Sequence, residues 1–287
     1  MKCRGIALAC LSCICASCAA PWVVVSADGV ADSPLVRLHV FDCGELSFPD
    51  VSAFGLGNAD TDVRRMFVPC YLIRHPRGDL LWDAGLDPAI VGQGAVNAGA
   101  FTMTYARSLV DQMDDMGLSP DDVEFMALSH MHFDHVGAAT QFPNARLLIQ
   151  AAEYEAAFLR PGDYGGVYDI QQYGGLAGNS RQLLTGDHDV FGDGTVMIIS
   201  APGHTPGHQV LLVHLRNAGP VLLSGDLYHF RATRRLRAVP TFNTNADQTL
   251  ASMAKVERLI EETGAALWIE HDWALAQALR LAPAAHD

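Results

Sequence analysis

His130-Met131-His132-Phe133-Asp134-His135 places three imidazoles and one carboxylate in six consecutive residues, just after the apolar run Phe125-Met126-Ala127-Leu128. Polar groups crowded at the end of a buried strand need compensation for lost hydration. A divalent cation provides it, because neutral imidazole and carboxylate are ligands that zinc takes. Residues two apart in an extended segment point the same way, so His130 and His132 can chelate one metal together. Asp134 and His135 follow the turn and can face a second metal. A metal-free histidine-rich loop would suit a lone histidine better than this spacing.

Three further segments complete such a site, each directly after an apolar strand. In Pro202-Gly203-His204-Thr205-Pro206-Gly207-His208 the glycines permit a tight turn that projects His204. His208 opens the next strand and reads as a structural, hydrogen-bonding histidine. Ser224-Gly225-Asp226 follows Val221-Leu222-Leu223, and Glu270-His271-Asp272 follows Leu267-Trp268-Ile269. His130, His132 and His204 then make one three-ligand site. Asp134, His135 and His271 make a second, and Asp226 can bridge both. Each metal keeps an open position, as in a catalytic rather than a structural site.

The rest of the chain frames this cluster. Its 287 residues are 49% hydrophobic, enough for one large domain or two fused halves. A formal net charge of -13 argues against nucleic-acid binding. Residues 1–27 read as a secretory signal peptide: Lys2 and Arg4 precede the uncharged, apolar Gly5 to Ala20, and Val25-Ser26-Ala27 offers a small-x-small cleavage site. Export to the periplasm follows, with no membrane span left in residues 28–287. Lipid anchoring at Cys18 is a minor alternative. Removing the leader leaves Cys43 and Cys70, either disulfide-bonded or buried as free thiols.

Strands are expected at Val36–Phe41, Met66–Ile73, Leu80–Trp82, Ala145–Gln150, Val196–Ser200, Gln209–Leu215, Val221–Leu223 and Ala266–Ile269. Helices are expected at Thr102–Met116, Ala151–Leu159, Ala246–Thr263 and Trp273–Leu281, with loops at Gly44–Arg65 and Arg160–Gly178. Strands and helices recurring in two halves suggest two face-to-face sheets with helices outside. Phe48, Phe54, Leu56, Phe67, Phe101, Met103 and Phe133 flank candidate rim segments, and core burial is the expectation for most of them. The basic run Arg231, Arg234, Arg235 and Arg237 reads as a solvated face.

These motifs together resemble the metallo-β-lactamase superfamily, including Asp83 in Trp82-Asp83-Ala84-Gly85. The likeness runs from about Val36 to the last helix. It implies an α/β fold, a four-layer αββα sandwich with two divalent metal ions, Zn2+ foremost, at one edge. It also implies that Asp83 supports the ligands from behind. Pro69-Cys70-Tyr71-Leu72-Ile73, Ala152-Glu153-Tyr154-Glu155-Ala156 and the His204 segment resemble the N-acyl homoserine lactone lactonases, as does Asp226. That resemblance implies a small-molecule acyl lactone or ester, opened by a metal-bridging hydroxide, with Asp134 carrying a proton to the leaving alkoxide. Many lactonases carry a tyrosine three residues after the bridging aspartate. Here His229 stands there and Tyr228 one place earlier, so either is a candidate to polarise the carbonyl. A periplasmic β-lactamase is the main alternative. A thioester hydrolase and a non-catalytic metal-binding protein are the others. The sequence leaves the oligomeric state open.

Overall fold

The structure, a computed structural model, describes residues 35–287; the expected leader and Cys18 lie outside the described residues. The first sheet holds β1 (Arg37–Ser47), β2 (Arg65–His75), β3 (Gly78–Trp82), β4 (Val96–Ala98), β5 (Phe101–Thr104), β6 (Phe125–Ala127), β7 (Arg146–Gln150) and β8 (Arg181–Leu184). The second holds β9 (His188–Asp189), β10 (Val196–Ser200), β11 (Gln209–Leu215), β12 (Gly219–Leu223) and β13 (Ala266–Trp268). The spatial orders are β4-β5-β1-β2-β3-β6-β7-β8 and β13-β12-β11-β10-β9.

Side-chain alternation builds the layers. Along β2, Phe67, Tyr71 and Ile73 face the second sheet, where they meet Val196, Ile198, Leu211 and Val213. Met66, Val68, Cys70 and Leu72 face the other way, onto Leu109, Met113, Phe142 and Tyr173. On β11, Val210 and Leu212 turn outward onto Met253, Val256 and Leu259. Strands buried on both faces read as continuous apolar runs, while the period of two still decides which core each residue joins. The result is the expected four-layer αββα sandwich.

The longest helix, Ala246–Thr263, has the expected bounds. The Asn245 side chain caps it by accepting from the Gln248 N–H, and Gly264 ends it in the left-handed region. Other expectations are corrected. Thr102–Met116 is not one helix. Its first residues belong to β5, where Met103 pairs with Leu46 of β1, and the helix covers Leu109–Asp114 after a Ser108 cap. Edge pairing with β1 outweighs the helical spacing. The expected loop at Gly44–Arg65 is correspondingly shorter, because β1 runs on past a bulge to Ser47. Ala151–Leu159 is helical for one turn and then widens into a π-turn at Glu155–Leu159. Trp273–Leu281 is helical over Trp273–Ala276, after which the chain turns back so that His286 bridges Leu38.

Cys43 and Cys70 form a disulfide between β1 and β2, fully buried and separated by 27 residues. Closing a loop of that length restricts the unfolded chain. Replacing both cysteines by alanine is expected to cost about 2–4 kcal/mol in denaturant unfolding. An unchanged midpoint would show that the bond contributes nothing.

Candidate metal centre and active site

The cluster sits where strands of both sheets end. β3 runs parallel to β6, and β12 runs parallel to β13. Their C-terminal ends deliver Asp83, His130, Asp226 and His271 to one edge, and the turn after β10 adds His204. Two glycines make these approaches possible. At Gly203 a Cβ would lie 2.2 Å from the Thr249 nitrogen, and at Gly225 a Cβ would lie 2.8 Å from His208 Nε2. Both adopt positive φ.

The seven expected ligands converge in two groups. His130, His132, His204 and Asp226 form one; Asp134, His135 and His271 form the other. His204 Nε2 lies 3.2 Å from both His130 Nε2 and His132 Nδ1. Two ligand atoms held tetrahedrally at zinc–nitrogen distance stand about 3.3 Å apart, so this spacing suits a shared cation. Asp226 Oδ1 stands 2.9 Å from His271 Nε2 and 3.4 Å from His135 Nε2, while Oδ2 is 3.2 Å from His204 Nε2. His135 Nε2, His271 Nε2 and Asp226 Oδ1 are buried yet make no well-aligned hydrogen bond. Convergent, unsatisfied buried donors and acceptors of this kind fit a metal. This is a metal-binding His/Asp site, and the residues present suit two divalent cations.

A surrounding shell fixes the rings. Asp83 Oδ2 accepts from His135 Nδ1 at 3.0 Å, and Asp83 Oδ1 accepts from the Ser129 N–H at 2.6 Å. His271 Nδ1 donates to the Phe67 carbonyl at 2.7 Å. Each Nδ1–H is thereby engaged and each Nε2 is left for a metal. Asp83 holds its position at a φ of 57°, an uncommon region for a non-glycine residue. His208 has the structural role expected of it. Its Nδ1 donates to Ala201 O at 3.1 Å, and its Nε2 accepts the Asp226 N–H at 3.0 Å.

Charge reinforces this arrangement. Burial, then the neighbouring imidazoles His135 and His132, hold His130 well below the usual histidine range. Burial, then His204, does the same to His132. Neutral imidazoles are what a metal requires. His271 behaves oppositely. Burial opposes its protonation, but the facing carboxylates Asp226 and Asp134 prevail and raise it to about 9. Positive charge is therefore favoured beside those carboxylates, and a cation meets the same demand as a proton.

The two candidate carbonyl-polarising residues part company. His229 Nε2 lies 3.1 Å from Asp226 Oδ2, with its ring against Phe54 and Phe242. The Tyr228 hydroxyl instead donates to Glu257 Oε1 at 2.8 Å and lines a different cavity. After the single helical turn Gly225–Leu227 the two consecutive side chains leave on opposite sides, which puts Tyr228 away from the metal ligands. Phe48, Leu56 and Phe67 are core residues, as expected. Phe54, a core residue too, and the half-buried Phe101, Phe133, Val167 and Phe242 line a cavity of about 430 Å³ that opens onto His132, Asp134, Asp226 and His229.

Sequence reasoning gave no role to Glu153, which is buried between the ligand loops. It accepts from the Met131 N–H at 3.0 Å and the Gly207 N–H at 2.9 Å, tying the His130–His132 and His204–His208 segments together. The segment around it was noticed only as part of a resemblance, and no spacing rule signals such a tie. Ser129, 3.0 Å from His130 Nδ1, and Glu270 were also missed. Burial, then Asp83, pushes Glu270 up to about 8.

Residues 63–272 match the Metallo-beta-lactamase superfamily. The chain belongs to that superfamily. It is 35% identical over 264 residues to the N-acyl homoserine lactonase AttM of Azorhizobium caulinodans, covering 88% of this chain and 99% of that protein. The crystal structure of a quorum-quenching N-acyl homoserine lactone hydrolase superposes with a TM-score of 0.74 at 24% identity, covering 88% of this chain and 99% of its own. AidC, a dizinc quorum-quenching lactonase solved with a product, superposes at 0.64 and 18% identity over 84% of this chain and 90% of its own.

Asp83→Asn removes the charge behind His135 while keeping its shape. Metal affinity is expected to fall about 10–100-fold, measured by competition with a chromogenic chelator. Unaltered affinity would mean that Asp83 does not orient His135.

Proposed function

We propose that the protein is a metal-dependent hydrolase that opens N-acyl homoserine lactones, with two zinc ions as its cofactors. The single observation that carries this reading is the apolar cavity of about 430 Å³ ending on Asp226 and His229. It offers an acyl chain a sheltered wall and delivers the lactone ring to the metal ligands. The 35% identity to a lactonase over nearly its whole length supports it.

Two cations, when bound, supply a nucleophilic water at neutral pH and an electrophile for the carbonyl. The protein's own residues do the rest. His130, His132 and His204 would hold one cation and Asp134, His135 and His271 the other, with Asp226 within reach of both groups. His229, at the cavity floor, donates a hydrogen bond to the carbonyl oxygen as charge develops there. Asp134 also lines the cavity and carries a proton to the leaving alkoxide. The β-lactamase alternative is not favoured, since relatives at 35% and 36% identity are lactonases and Asp226 reaches histidines of both ligand groups.

We also infer that the protein is exported to the periplasm with residues 1–27 removed. The leader's sequence pattern supports this, and the Cys43–Cys70 bond suits an oxidising compartment. Among the described residues no helix is long and apolar enough to cross a membrane.

Purified protein is expected to open short- and long-chain N-acyl homoserine lactones with about two metals per chain, while leaving nitrocefin intact. Nitrocefin turnover with inert lactones would reverse the assignment. Asp226→Ala should lose metal and turnover together, and full retention of both would sink the two-metal reading. His229→Ala is expected to lower kcat about 100-fold at full metal content, whereas Tyr228→Phe changes it by less than about twofold. The reverse pattern, read by steady-state kinetics, would return the carbonyl contact to Tyr228.

A further inference from the structure

A second cavity, of about 1000 Å³, lies apart from the metal centre. Arg231, Arg234, Arg235 and Arg237 line one side of it. The basic run that reads as a solvated face in the sequence is therefore part of a concave wall. Met253, Ala254, Leu267, Ile269 and Leu275 give the same lining an apolar part.

The arginines are not equivalent. Arg231 pairs with Asp272, and Arg234 grips Glu257 through Nε at 2.8 Å and Nη2 at 2.7 Å. Arg235 and Arg237 reach uncharged backbone carbonyls, of Asp60 at 3.2 Å and of Leu250 at 3.3 Å. The third acid in the lining, Asp60, turns its carboxylate to the Gly57 N–H at 2.8 Å. Four arginines thus meet three carboxylates, an excess of one positive charge, with Arg235 and Arg237 bonded to carbonyls and Arg237 also within the field of Glu257. That is unexpected in a chain of net charge -13. Arg237 is also held at a φ of 51°, where it caps the helix Arg231–Leu236. An arginine at that strained position, where glycine is usual, keeps a cation on the cavity rim.

We propose that this cavity binds an amphiphilic carboxylate, its headgroup on Arg235 and Arg237 and its aliphatic tail on the apolar part of the lining. Guanidinium groups bind carboxylates through paired, charge-assisted hydrogen bonds, and the apolar wall takes the chain. A free fatty acid has this chemistry. So does the ring-opened product of the proposed reaction, an acyl chain ending in a carboxylate. The site itself does not depend on the lactonase reading, since a fatty acid satisfies it equally.

The test is isothermal titration calorimetry of metal-loaded protein with decanoate, N-decanoyl-homoserine and decanol. Beside any binding at the metal centre, decanoate is expected to occupy one further site per chain that depends on Arg235 and Arg237, at least about tenfold more tightly than decanol. Arg235→Ala with Arg237→Ala should weaken it at least about tenfold. Ala254→Phe, which fills the cavity from the apolar wall, should abolish it independently; thermal unfolding checks that both variants fold. At the site that the two variants remove, tighter binding of N-decanoyl-homoserine names the product as the source, and tighter binding of decanoate names a fatty acid. If neither anion binds, if decanol binds equally well, or if both variants bind as the parent does, the proposal is overturned. In the last case the carboxylate sits on the metals instead.

Discussion

Asp226, a carboxylate buried among five histidines, sets the terms for the rest of this molecule. His271, His229, His204, His135 and His130 each bring a ring nitrogen within 2.9–3.6 Å of it. A charge so far from water is unfavourable unless something positive is held against it. The fold answers by aiming ring nitrogens, not ammonium or guanidinium groups, at both oxygens. That choice leaves room for cations. Much of the local structure follows from it: the left-handed Gly225 before Asp226, His208 holding the Asp226 backbone, and carbonyl or carboxylate partners turning the rings of His135 and His271.

The metal ligands were legible in the sequence because their chemistry is concentrated and their spacing is local. Four lie within six residues, and the others each follow an apolar strand that marks a sheet edge. The sandwich was legible for a related reason: runs such as Val210–Val213, apolar at every position, belong between two layers. Less legible was anything decided by long-range packing. Thr102–Thr104 looks helical until β1 is extended far enough to pair with it. Glu153 looks like an ordinary helix residue, and its importance comes from Met131 and Gly207 arriving on either side.

Tyr228 and His229 show the limit most clearly. They are neighbours, and one residue of offset decides which reaches the metal centre and which reaches Glu257. Sequence spacing alone named both. The backbone path through Ser224–Tyr228, with Asp226 at a φ of -85° and a ψ of 17°, separates them. The arginine run is the converse case. Its charge was visible from the start, but the apolar part of its cavity comes from residues as distant as Leu275.

The two sheets contribute to the centre unequally but jointly. His130, His132, Asp134 and His135 come from the connection after β6, while His204, Asp226 and His271 come from the second sheet. Any cation held across them is a clasp between the halves of the sandwich. The apolar layer between the sheets holds them along their length, and at this edge such cations would add to the hydrogen bonds made by Glu153 and His271. Cation supply therefore acts as a dial on durability: at a thousand times the dissociation constant, each such ion adds about 4 kcal/mol to the folded state. In a compartment where metal is scarce, the lifetime of this protein would follow the metal it can capture.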